Sequence, residues 1–130
     1  MPQIFAGFGI RAAFFFRGTN FTDANFRWRG VDGTEIPVYR FGREGYGAYA
    51  IQALKAFEAE PLTEERYVEL LTSYLESESN RTAIDTVLLF DGCDHMEWNP
   101  QTYAWLHQYM AEQHAEWEFA HVSLDDYVNA

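Results

Sequence analysis

The chain predicts an α/β fold in which parallel strands lie under flanking helices, as one piece of a larger α/β domain. Three features carry this expectation. Two apolar runs, Ile10–Phe16 and Ile84–Phe90, are continuous rather than alternating, as in strands buried on both faces. The order of a strand at 84–90, a helix from Pro100 to about His114 and a strand at 116–122 reads as a β-α-β unit with a right-handed crossover. The pieces make an incomplete layer rather than a closed sheet.

Taken in order, PQIFAGF at 2–8 reads as a helix tail, with Pro2 in a first turn and Gly9 as its stop. The strand at 10–16 ends in the polar turn Arg17-Gly18-Thr19-Asn20 and leaves Arg17 at its C-terminal end. NFRWRG and TEIPVYR alternate around Val31-Asp32-Gly33, a hairpin signal in which Phe26, Trp28, Ile36 and Val38 form one packed face. Arg40 to Gly47, with three glycines, reads as a mobile loop entering a helix over about 48–59 that Pro61 ends.

A second helix opens at Thr63-Glu64-Glu65-Arg66. Its Tyr67, Leu70, Leu71, Tyr74 and Leu75 fall on the i, i+3, i+4, i+7, i+8 stripe of a helix lying on a core. Ser123-Leu124-Asp125-Asp126 resembles a capping box opening a last helix. A helix tail at the front and a helix start at the back give the expectation that residues 1–130 are one partial domain, cut at both ends.

Composition bounds the function. With 48% hydrophobic and 18% aromatic residues in 130, the chain has enough apolar matter for a core. The 20 Asp and Glu against 9 Lys and Arg leave a net charge of -11, which repels phosphate backbones and anionic lipid, so neither nucleic acid nor a membrane is an expected partner. No apolar run nears the roughly 18 residues that span a bilayer. Cys93 is the single cysteine, which excludes an internal disulfide.

Chemistry in parallel α/β architectures sits in loops at strand C-terminal ends. Two loops qualify: the one holding Arg17, and the one after Phe90 holding Asp91, Asp94, His95 and Glu97. A carboxyl desolvated there, beside a group such as Trp98, has its pKa raised toward that of a proton donor, and a neighbouring arginine holds a hydroxyl or carboxylate. Asp91 and Asp94 equally suit plain turn and helix capping. As metal ligands the loop residues are poorly spaced, and His107 and His114 stand two turns apart on one helix. No residue here is therefore assigned to metal. A third possibility is an acidic loop that binds an ion for structure only.

Several stretches together resemble the catalytic domain of glycoside hydrolase family 38 α-mannosidases. PQIFAGFGIRAAFFFRG is similar to the helix tail, glycine and strand ending in Arg-Gly that follow that family's nucleophile loop. FRWRGVDGTEIPVYR resembles the hairpin placed next in bacterial-type members, and GYG the loop after it. VLLFDGCDHMEWNPQTYAWLHQYM resembles the later strand, Gly-x-Asp, proline and helix, and WEFAHVSLDDYV the segment that follows.

The resemblance spans nearly the whole chain and implies the central-to-late part of a seven-stranded β/α barrel, as a partial barrel with an inserted hairpin. It also implies a retaining α-mannosidase using a divalent metal, usually zinc, on a mannoside or oligosaccharide, in a cytoplasmic, bacterial-type setting. By position it makes Asp94 the general acid/base and Arg17 a sugar-pocket residue, with His95 and Asp91 as substrate contacts. The family's His-x-Asp metal pair, nucleophile aspartate and late metal-binding histidine have no counterpart in this chain. The partner it implies is the remainder of the catalytic domain, without which the 130 residues are expected to be inactive. The rival expectation is a non-catalytic carbohydrate-binding or protein-interaction module that stacks Trp28, Trp98 or Tyr46 on its ligand.

Overall fold

The computed structural model describes residues 1–20, 22–113 and 117–130. The chain folds as mixed α/β, with helix α1 at Pro2–Gly7, strands β1 at Ala13–Phe15, β2 at Asn25–Arg29 and β3 at Glu35–Arg40, and helices α2 at Ala48–Gln52, α3 at Glu64–Arg81, α4 at Pro100–Gln113 and α5 at Leu124–Asn129.

The strands form a three-stranded mixed sheet of order β1-β3-β2. The hairpin forms as its alternation predicts, Phe26 opposite Val38 and Trp28 opposite Ile36. β3 takes the centre because β1 adds to its free edge in parallel, Ala13 against Val38. This buries β3 on both faces rather than one: Ile36 and Val38 are buried, and so is Tyr39 pointing the other way. α1 covers the side carrying Trp28, where Phe5 and Phe15 both meet the indole edge-on.

The opposite side rests on a ring cluster of Phe14, Tyr39, Phe41, Phe90 and Tyr127. Beyond it a second core joins α2, α3 and α4 through Tyr49, Tyr67, Leu71, Leu75, Leu106 and Met110. The α3 stripe read from the sequence supplies this core, except that Leu70 is only half-buried. Thr63 caps α3 by accepting from the Arg66 amide, and Ser123 and Asp126 close the capping box on α5.

Four expectations are corrected. First, the apolar run 84–90 is extended but pairs with no strand, and residues 117–122 form no strand either, so the β-α-β unit is absent among the described residues. The reason is physical. An apolar run reports buried side chains, and Leu88 is indeed buried, with Val87 and Leu89 packed on the helical core. A ladder also needs a backbone neighbour about 4.8 Å away, and among the described residues no strand pairs with this run. Second, the parallel pairing that does form, β1 with β3, was not foreseen. Third, the sheet has three strands, and no arc of a seven-stranded barrel is seen among the described residues.

Fourth, the helix expected over 48–59 stops at Gln52, and Lys55 turns left-handed at φ 52° well before Pro61. Within the loop expected at 40–47 lies a 3-10 turn at Gly45–Gly47, which leads into α2.

One buried polar junction locks the layers. Arg81, at the end of α3, pairs with Glu78 at 2.7 Å and donates to the carbonyls of Arg40 and Thr22, while the Tyr39 hydroxyl donates to Glu78 at 3.0 Å. Arg81→Met would leave the Glu78 carboxylate, 8% exposed, without its counter-charge. The expected loss is about 3–5 kcal/mol in urea unfolding, against a smaller loss in the Glu78→Leu, Arg81→Met double variant.

Candidate functional site

Because β1 and β3 run parallel, the loops leaving both strands emerge at one end of the sheet. Arg17 leaves β1 there, its guanidinium lying 4.7 Å over the ring of Phe16. The loop after β3 brings Arg43, Glu44 and Tyr46 to the same end. The segment after Phe90 folds across to meet them, so that Arg17, Arg43, Glu44, Tyr46, Cys93 and Asp94 border one pocket of about 270 Å³. That lies just under the roughly 300 Å³ lower end of small-ligand sites.

Two glycines make this approach possible. A Cβ on Gly45, which is left-handed at φ 68°, would stand 2.9 Å from the Phe16 ring, and one on Gly47 would stand 3.0 Å from Cys93 Sγ. Any larger residue at either position would push the loops apart. Cys93 thus acts here as a half-buried packing group against Gly47.

The polar contact across the pocket runs from Tyr46 to Asp94. The phenol donates to Asp94 Oδ2 at 2.8 Å. That hydrogen bond, followed by the carboxylate's charge, pushes the Tyr46 hydroxyl above its ordinary pKa. Among the described residues Asp94 Oδ1 is left for another partner.

Of the five loop and strand-end residues singled out in the sequence, Asp94 and Arg17 thus meet in one pocket, while Glu97 is exposed outside it. Asp91 and His95 do not join them. His95 takes a left-handed backbone, φ 62°, and is exposed beyond the pocket. Asp91 borders a separate groove of about 1010 Å³ that lies between residues 85–91, α4 and residues 117–127. This is the space that a pairing of the two expected strands would have closed. Asp91 is exposed as a residue, but partial desolvation of its carboxyl in the groove pushes that group up, partly opposed by the charge of His121.

His121 has Nδ1 3.0 Å from the Tyr103 hydroxyl. His107 packs its ring on Tyr103 and Phe119, and His114 lies outside the described residues. Trp28 is taken up by Phe5 and Phe15, which leaves Trp98 and Tyr46 as the exposed aromatic groups of the three.

The sequence reading located the Arg17 and Asp94 loops but did not count the loop after β3 among them. Its signal was the glycine-rich GREGYG, spaced for close approach around one tyrosine. Among the described residues no three His, Cys, Asp or Glu side chains gather to hold an ion, so the zinc that the resemblance implies has no cage in them. No helix there is long and apolar enough to cross a membrane. Comparison with protein-family models and with curated proteins returns no match.

Asp91 supplies a pH test. Its folded pKa is raised, so the folded state holds its proton over a range where the unfolded chain has released it, and stability falls as pH rises through that range. Asp91→Asn removes this cost. Its melting temperature relative to the parent should therefore be equal or lower at acid pH and climb once pH passes the carboxylate range. A pH-independent difference would show that Asp91 is not desolvated.

Proposed function

We propose that this chain is the acid/base portion of a retaining α-mannosidase catalytic domain. One observation supports this most: Asp94 and Arg17, distant in sequence and matched independently to that family's acid/base and pocket arginine, border the same small pocket.

In this reading the chemistry falls to a few groups. Asp94 protonates the glycosidic oxygen as the bond to the anomeric carbon breaks, then takes a proton from the water that ends the reaction. Tyr46 holds Oδ2 and so aims Oδ1 at the substrate. Arg17, braced on Phe16, donates to sugar hydroxyls. The second carboxylate, which must stand roughly 5 Å from the first to attack the anomeric carbon, comes from the remainder of the catalytic domain. Zinc, for which the described residues hold no cage, would be held by residues outside this chain and would supply hold on the sugar hydroxyls. Asp91 and His95 stand outside the pocket, and in this reading they meet substrate beyond the first ring.

The rival reading as a non-catalytic carbohydrate-binding or protein-interaction module draws on Trp98 and Tyr46, both exposed.

In an enzyme that contains the remaining segments, Asp94→Asn should lower turnover of ordinary mannosides by about 10²–10⁴-fold. It should spare most of the first step on substrates whose leaving group needs no proton. Equal losses on both substrates would remove Asp94 from the acid/base role. The 130 residues alone, assayed with added zinc, should release no mannose, and sustained turnover would overturn the division of the site between segments.

A further inference from the structure

Cations are scarce in this chain, nine Lys and Arg against 20 Asp and Glu, so each has carboxylates to choose from. Among the described residues Arg11, Arg29, Lys55, Arg66 and Arg81 each pair with one. Arg40 donates to the Thr19 hydroxyl instead. Arg17, Arg27 and Arg43 have no carboxylate partner among the described residues. Arg27 stands by itself on β2, but Arg17 and Arg43 border the same pocket.

Two exceptions that meet at one place call for a reason, because neighbouring guanidiniums repel. The carboxylates of the pocket do not bridge them. Glu44 Oε2 accepts from the Gln52 side-chain amide at 2.8 Å, and Asp94 Oδ2 accepts from Tyr46. Arg17 is held on the Phe16 ring rather than turned to either carboxylate. Both arginines are exposed, so their N–H groups stand at the pocket with no acceptor from the described residues.

That vacancy of acceptors selects a ligand chemistry. A guanidinium presents a planar fork of donors that engages two oxygens of one anion. A carboxylate has two oxygens and is filled by a single fork. A phosphate monoester carries nearly two charges at neutral pH and three terminal oxygens, so it serves two forks together. We propose that Arg17 and Arg43, one from the loop after β1 and the other from the loop after β3, form a binding site for a phosphate monoester group. This goes beyond the reading in which Arg17 alone meets sugar hydroxyls, and it does not depend on the role of Asp94. The net charge of -11 opposes loose attraction of anions, so saturable phosphate binding has to be local.

The test titrates the 130-residue chain with inorganic phosphate, and separately with acetate, at constant ionic strength near neutral pH, following the arginine Nε–H signals by NMR. Arg17→Gln, Arg43→Gln and Arg27→Gln assign the signals. Phosphate should move Arg17 and Arg43 saturably, with a dissociation constant on the order of 1 mM, and leave Arg27 still. Acetate should bind about tenfold more weakly or worse, and Arg17→Gln and Arg43→Gln should each weaken phosphate by about tenfold or more. Arg27→Gln should bind phosphate as the parent does. The amide spectrum of each variant reports its fold, and the titration of the parent decides the matter should a variant unfold.

If phosphate leaves Arg17 and Arg43 unmoved, if it moves Arg27 to the same extent, or if acetate binds as tightly, the phosphate site is overturned. None of these probes is a glycoside, so such a result leaves the mannosidase reading to its own test.

Discussion

The molecule depends most on the Arg81 guanidinium. It neutralises Glu78 on its own helix and reaches across to the Arg40 carbonyl at the end of β3 and to the Thr22 carbonyl before β2. The Arg81 carbonyl accepts the Ala24 amide, and the Ala24 carbonyl accepts the Arg40 amide, so helix end, hairpin start and central strand end are one hydrogen-bonded knot. An arginine suits this because its rigid fork serves several oxygens at once, where a lysine would serve one point. Tyr39 completes the knot with its hydroxyl on Glu78 and presents its ring to Phe14, Phe41 and Tyr127. Polar specificity and apolar packing therefore meet in one strand.

From that knot the pocket follows. Fixing the end of β3 fixes where its loop departs, and the parallel partner β1 departs beside it. Arg40 adds a tie between the two exits by donating to the Thr19 hydroxyl at 2.7 Å. What remains is to bring the loops within contact. Gly45 against Phe16 and Gly47 against Cys93 do so by having no side chain to hold them off.

Much of this could be read in the sequence where one local signal decides the outcome. The Asp-Gly turn between alternating runs gave the hairpin, and Thr63 and Ser123 marked helix starts that their caps confirm. The failures share a cause. Apolarity at 84–90 and 117–122 reports side-chain burial, and ladder formation depends on which backbone lies alongside, which no local pattern encodes. The site was half legible for the same reason. Asp91 and Asp94 look equivalent three residues apart, yet the turn sends one into a groove and the other into a pocket. The part played by Tyr46 depends on a meeting of distant loops.

The loop bearing Asp94 is held in an unusual manner. In a parallel sheet the strand before such a loop is clamped by ladders on both edges. Here, among the described residues, no backbone amide from Asp85 to Phe90 donates to another backbone carbonyl. Position must then come from side chains: Phe90 on Phe41, Leu88 in the ring cluster, Cys93 on Gly47 and Asp94 on Tyr46. These contacts fix the loop from its tip as well as from its root. Side-chain anchors are also easier to release than a ladder, because each gives way separately. The Tyr46 hydroxyl is consequently more than a neighbour of the carboxylate. It is one of the few groups that set where Asp94 stands.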